Sequence, residues 1–184
     1  LIVAHHPIVF SGLKSFTGKN YVERTVIKAI KNDIAIYAIH TNLDNIQNGV
    51  NNKIADVIGL VDRQILRPKA NLSKIQVFAP KGEEDKIREA MRLAGAGTVG
   101  LYEDCSFNTD GLGTYLAKPG ASPSIGEVGI LQREPEVKIE MVLPSHLVHG
   151  VVMGMKAAHP YEEVAYDVIT LANLNQTVGA GLVG

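Results

Sequence analysis

Four side chains able to ligate a metal gather in two short strings. His5 and His6 follow the apolar run Leu1-Ile2-Val3-Ala4, and His40 and Asp44 bracket the string His40-Thr41-Asn42-Leu43-Asp44. Three imidazoles and a carboxylate suit Zn²⁺, Fe²⁺ or Mn²⁺ better than the hard cations Ca²⁺ and Mg²⁺. Adjacent residues of an extended strand point to opposite faces. Pro7 breaks the strand, so both rings can reach one pocket, or each can serve a different ion. A plainer reading stands beside this one. Histidines near strand ends also cap backbone groups, and Asp44 can simply initiate the turn at Asn45.

The elements that must bring these side chains together are legible around them. Leu1 to Ala4 and Ile34 to Ile39 are continuous apolar runs, the pattern of strands buried on both faces. Between them, Asn20 caps a helix with Glu23 three residues on, a capping-box arrangement. Val22, Val26, Ile27 and Ile30 recur at helical spacing and give that helix an apolar stripe. Strand, helix and strand form a right-handed parallel βαβ unit. Its two strands end on the same sheet edge, where open α/β sheets collect their ligands. Convergence of His5, His6, His40 and Asp44 therefore rests on this unit.

Farther along, Ile54 to Ile58 predicts a short helix closed by Gly59, and Val61 to Leu66 a strand. Arg67-Pro68-Lys69 reads as a linker, so a domain boundary is placed there: 1–69, then a second module over 70–174, then a return to the first domain at 175–184. In that module Ile75 to Ala79 reads as a strand. Glu83-Glu84-Asp85 puts negative charge on the first turn of a helix. Ile87, Met91 and Ala94 mark its buried face, and Gly95 its end. Strand-like stretches follow at Val99 to Phe107, Gly113 to Ala117, Gly126 to Gln132 and Val137 to Leu143. A helix from Pro144-Ser145 to about Ala157 and a strand from Val164 to Leu171 complete two βαβ patterns, a ferredoxin-like split unit. The fold class is α/β: a parallel βαβ metal-binding domain with an inserted ferredoxin-like α+β domain. Both ends of the sequence read as cuts rather than natural termini.

Two sets of motifs resemble one known family. Leu1-Ile2-Val3-Ala4-His5-His6-Pro7-Ile8-Val9-Phe10 and His40-Thr41-Asn42-Leu43-Asp44, with the helix between them, are similar to the two N-terminal metal motifs of the NIF-three-like dinuclear-metal family, whose members carry the name GTP cyclohydrolase 1 type 2 homologue. The resemblance implies that His5, His6 and Asp44 are metal ligands and that His40 is a further ligand or a nearby group that supports the ligands. It implies two transition-metal ions per full-length subunit, completed by a His and a Glu from a C-terminal segment that lies outside this sequence. It also implies a ring-like hexamer. Gly111-Leu112-Gly113-Thr114-Tyr115, the Gly120 to Gly126 turn and His159-Pro160-Tyr161-Glu162-Glu163 resemble the insert of bacterial members, which is similar to PII and CutA modules. From the residues alone, Pro160 stops a helix, His159 caps its last carbonyls and Tyr161 packs beneath a strand.

Composition excludes several other functions. The net charge is -1 with basic residues dispersed, so no nucleic-acid footprint is present. Cys105 is the single cysteine, which excludes an intrachain disulfide and a thiolate cluster and fits a cytoplasmic protein. It has no basic or histidine neighbour in sequence and reads as a packing residue in a strand. No apolar run is long enough to span a bilayer. The glycines between Gly95 and Gly129 lack the Walker and dinucleotide spacings and read as turns. The expected function is a metal-dependent hydrolase of unassigned substrate and unassigned catalytic residues. The alternatives are a non-catalytic metal-binding or regulatory scaffold whose PII-like module oligomerises or senses a small ligand, and a protein-interaction partner.

Overall fold

The chain alternates strands and helices as β1 (Ile2–Ala4), α1 (Tyr21–Lys31), β2 (Ile36–Ala38), α2 (Val50–Ile58), β3 (Gln64–Lys69), β4 (Leu72–Pro80), α3 (Glu84–Leu93), β5 (Phe107–Leu116), β6 (Leu131–Pro144), α4 (Val148–Ala158), β7 (Tyr166–Leu171) and β8 (Asn175–Val183). Single 3₁₀ turns occupy His40–Asn42 and Ser145–Leu147. The computed structural model describes residues 1–184. Two compact units emerge, one made of Leu1–Lys69 with Asn175–Gly184 and the other of Ala70–Leu174.

In the first unit β1 and β2 pair in parallel, Ile2 opposite Ile36 and Ala4 opposite Ala38, with α1 as the crossover. The expected βαβ unit is present, but its strands are not buried. Val3 is 62% and Tyr37 54% exposed. The physical reason is the size of the sheet: it has two strands, whereas parallel strands become buried on both faces only inside a wider, helix-covered sheet. The same holds for α1, whose stripe residue Ile30 is 69% exposed.

The Arg67-Pro68-Lys69 linker expectation is also corrected. These residues end β3, which pairs antiparallel with β8, Arg67 opposite Ala180 and Pro68 opposite Gly179. The register shifts between Pro68 and Lys69, a setting in which a strand tolerates proline. A partner more than a hundred residues away leaves no local signal, so the segment mimics a linker.

The second unit is a four-stranded antiparallel sheet in the order β5-β6-β4-β7. Helix α3 connects β4 to β5 across β6, and α4 connects β6 to β7 across β4. This is the ferredoxin-like topology. Alternation along β4 and β6 sends Ile75, Val77, Ala79, Val137, Ile139, Met141 and Leu143 into a core completed by Ile87 and Met91 of α3 and Val151 and Met155 of α4. The helices approach closely where Gly154 faces α3: a Cβ there would lie 3.4 Å from the Ala90 carbonyl oxygen. On the opposite sheet face, Glu140 accepts from Gln76 at 2.8 Å and pairs with Lys138 at 3.0 Å and Lys74 at 3.3 Å. As expected, α3 opens on acidic residues, Glu84 and Asp85, and is followed by Gly95 at φ +102°.

The four expected strand stretches between Val99 and Leu143 resolve into two long strands. Gly113 to Leu116 finish β5, and Leu131-Gln132 begin β6, leaving Gly126 to Ile130 in the connecting loop. Val99 and Tyr102 form an isolated bridge, and Cys105 sits in the following loop with its N–H donating to the Gly97 carbonyl at 2.8 Å. Glycine within β5 obscures the period-2 signal there. His159 does not use its ring to cap α4. The ring is buried and its Nε2 lies 3.0 Å from the Phe78 carbonyl oxygen, while Nδ1 accepts the Tyr161 backbone N–H at 3.1 Å. That pairing requires the neutral Nε2–H tautomer, since Nδ1 must keep its lone pair.

Burial holds the His159 pKa below the ordinary histidine value, and the Phe78 carbonyl offsets this only in part. A histidine with a lowered folded pKa contributes full stability above the unfolded value of about 6.5 and loses it as pH falls through the folded value. Amide exchange at Ile139 and Met141 should therefore accelerate as pH is lowered below about 6.5, after correction for intrinsic rates. His159→Gln should flatten that dependence.

Candidate metal centre

The backbone ladder of β1 and β2 continues past the strands themselves. Ile39 N–H donates to the Ala4 carbonyl at 2.9 Å, and His40 N–H to the His5 carbonyl at 2.8 Å. These two bonds clamp the carboxyl end of one strand to that of the other, so His5 and His40 are held side by side. At Pro7 the chain bends away, and His6 turns toward the same point instead of the opposite face. The three rings form a compact set, with centroids 4.6 Å apart for His5 and His6, 5.5 Å for His5 and His40 and 5.6 Å for His6 and His40. One ring nitrogen from each lies within 4.8 Å of the other two.

His40 enters this set through an unusual backbone. Its φ is +43°, in the left-handed region that non-glycine residues rarely occupy. It sits at the junction of β2 and the 3₁₀ turn His40–Asn42, and its N–H bond to His5 fixes that conformation. Outliers of this kind cluster at functional sites because surrounding structure must sustain them. Phe10 closes one side, its ring edge-on to His40 at 6.3 Å. His5 and His6 are exposed and His40 is half-buried, so the cluster opens to solvent.

Asp44 stands outside the group of three. It follows the 3₁₀ turn, donates its N–H to the Thr41 carbonyl at 3.2 Å and accepts from Asn51 Nδ2 at its carbonyl at 2.7 Å. The structure thus brings His5, His6 and His40 together in a group that does not include Asp44. The positive φ that swings His40 inward has no sequence signature beyond a histidine at a strand end.

A buried carboxylate, Glu23, orders the loop between the paired histidines and α1. Asn20 caps α1 by accepting the Glu23 N–H at 2.9 Å, as expected. The Glu23 side chain, however, does not close a capping box on the Asn20 backbone. It accepts from the Thr17 and Gly18 N–H groups at 2.9 and 2.8 Å, from the Thr17 hydroxyl at 2.9 Å and from the Ser15 hydroxyl at 3.2 Å. Burial alone would raise this carboxyl group. The hydrogen bonds from Thr17, Gly18 and Ser15 outweigh it and hold the pKa at about 2.

An α/β protein with a trihistidine cluster at the carboxyl edge of a parallel βαβ unit, and a ferredoxin-like unit inserted in its chain, is what fold and site define. The family model for Duf34/NIF3 (NGG1p interacting factor 3) matches residues 1–177, and the chain belongs to that family. Two curated relatives are each named GTP cyclohydrolase 1 type 2 homolog. The protein from Halalkalibacterium halodurans is 45% identical over 186 residues, covering 100% of this chain and 50% of its own. That from Bacillus subtilis is 41% identical, with the same coverage. The solved Bacillus cereus protein related to NIF3 superposes with a TM-score of 0.77 at 41% identity, covering 98% of this chain and 48% of its own. The chain spans about half the length of the curated relatives it matches.

Glu23 has a depressed folded pKa, so its contribution is complete above the ordinary value of 4.5 and is lost as pH falls toward about 2. Glu23→Gln should remove this acid dependence and speed exchange at the Thr17 and Gly18 amides severalfold at neutral pH, while the amides of β4 and β6 stay unchanged. Hydrogen-exchange NMR on both proteins checks this.

Proposed function

We propose that His5, His6 and His40 hold a divalent transition-metal ion and that the protein is part of a metal-dependent hydrolase. The observation that carries this reading is the convergence of three imidazoles at an open strand edge. Two nitrogens on a tetrahedral Zn²⁺ with bonds of about 2.0–2.1 Å stand about 3.4 Å apart. Nitrogens already within 4.8 Å need only small side-chain rotations to reach that spacing, so the residues fit the ion. An all-imidazole set favours Zn²⁺ or Fe²⁺, and Mn²⁺ remains compatible when carboxylates join. Asp44, four residues after His40 in sequence, is assigned to a second ion, together with ligands from the part of the relatives this chain does not span.

Bound there, a divalent ion supplies a Lewis acid that lowers the pKa of water toward neutrality. The chain's own residues supply the rest. The β1–β2 backbone bonds fix two of the rings, Phe10 restricts the approach past His40, and the exposure of His5 and His6 leaves room for substrate. The name shared by the relatives points to hydrolytic opening of the guanine ring of a nucleotide. A second reading, a non-catalytic scaffold, is favoured by the outer strand β5. Its free edge spans Phe107–Leu116 and exposes Phe107, Leu112 and Leu116, which suits assembly into a homo-oligomer such as a hexamer.

Elemental analysis and calorimetry should find at most one tightly bound Zn²⁺ or Mn²⁺ per 184-residue chain, and two per subunit in a protein of the relatives' full length. His40→Ala should weaken the single site by at least about tenfold. Formate release from GTP by the full-length protein, abolished by chelation and restored by metal, supports the hydrolase. Metal binding without turnover of any nucleotide favours the scaffold.

A further inference from the structure

The inserted ferredoxin-like unit contains a cavity of about 340 Å³ that the metal cluster does not touch. Its size falls in the range of small-ligand pockets. Tyr115 and Tyr161 form aromatic walls with ring centroids 6.2 Å apart, inclined at 58°. Carboxylates of Glu136, Glu162 and Glu163 line it against a single cation, Lys118. Glu136 lies on the sheet face turned away from the helices, since it alternates with buried Val137. The Tyr161 hydroxyl donates to its Oε1 at 3.2 Å, and no protein donor reaches Oε2.

Two features show that this arrangement is built rather than incidental. Gly113 lies diagonally across the β5–β6 ladder from Glu136, and a Cβ at that position would overlap the Glu136 carboxylate. The missing side chain is what lets the carboxylate fold over the strand. Tyr161 is set by the buried His159, whose Nδ1 accepts its N–H, and Tyr115 by its hydroxyl bond to the Ile125 carbonyl at 2.7 Å. Both tyrosine hydroxyls are pushed above their ordinary range, by burial first, then by Glu134 and Glu136 at Tyr115 and by Glu136 ahead of Glu134 at Tyr161. Acidic groups beside aromatic faces are the chemistry that recognises organic cations, through ring quadrupoles and charge-assisted hydrogen bonds.

We propose that this cavity binds a small organic cation, an alkylammonium or guanidinium compound, against the Tyr115 and Tyr161 rings with its charge at Glu136. The cationic head donates to Glu136 Oε2 and lies over the tyrosine faces, while Glu162 and Glu163 at the mouth raise its local concentration. Lys118 sets a penalty for a second positive charge placed at its side of the cavity.

The test is an NMR titration of the 184-residue chain with agmatine and with methylammonium, and with inorganic phosphate and AMP as anionic counterparts. Saturable shifts at the Gly113, Tyr115 and Tyr161 amides with either cation, and none with the anions, are expected. Glu136→Gln should weaken binding by at least about tenfold, the loss of one charge-assisted contact. Tyr161→Phe keeps the ring and should weaken it far less than Tyr161→Ala. Unchanged core amide shifts at Ile139 and Met141 certify that each variant is folded. Non-saturating shifts with both cations, saturation by phosphate or AMP, or undiminished affinity in folded Glu136→Gln would overturn the proposal.

Discussion

Two backbone hydrogen bonds, from Ile39 to Ala4 and from His40 to His5, are the constraint on which the candidate centre depends. Parallel strands must share a direction, so their carboxyl ends fall on one edge, and any ligands placed after each strand meet there. A one-residue slip in this register would send every side chain of β2 to the opposite face and carry His40 away from His5. The register Ile2 to Ile36 and Ala4 to Ala38 is therefore as much a part of the site as the imidazoles.

The two units hold themselves together by different means. The inserted unit has a continuous apolar core between one sheet face and two helices. The first unit buries little apolar surface, with Ala55 and Ile65 its only buried hydrophobic residues and neither of them fully enclosed. Its loop order comes instead from polar anchoring at Glu23, where one carboxylate gathers the backbone of residues 17 and 18. Such a device is stiff only while the group stays ionised, which links the loop after His5 and His6 to pH. The core of the inserted unit responds in a different range, because its buried titrating group is a neutral histidine.

Much of this was readable in the amino-acid sequence wherever the cause is local. Asn20 before α1, Gly59 after α2, the acidic first turn of α3 and the alternation of Val137, Ile139, Met141 and Leu143 each act within a few residues, and each is found where expected. The pairing of β3 with β8 was not readable, because the partner lies at the far end of the chain. The glycines of β5 blurred a long strand into fragments. At the site, the sequence places His5 and His6 correctly at a strand end but cannot show that His40 adopts a positive φ. The exposure of β1 and β2 was likewise hidden, since apolar composition reports what a strand prefers and not how many neighbours its sheet contains.

The central claim is that three imidazoles share one ion, and X-ray absorption at the zinc edge of the zinc-loaded chain tests it most directly. The geometry predicts a shell of nitrogen and oxygen at about 2.0–2.1 Å, with the outer-shell scattering of three imidazole rings, reduced to two rings in His40→Ala. A spectrum with one imidazole or none, or one unchanged by His40→Ala, would contradict the shared site.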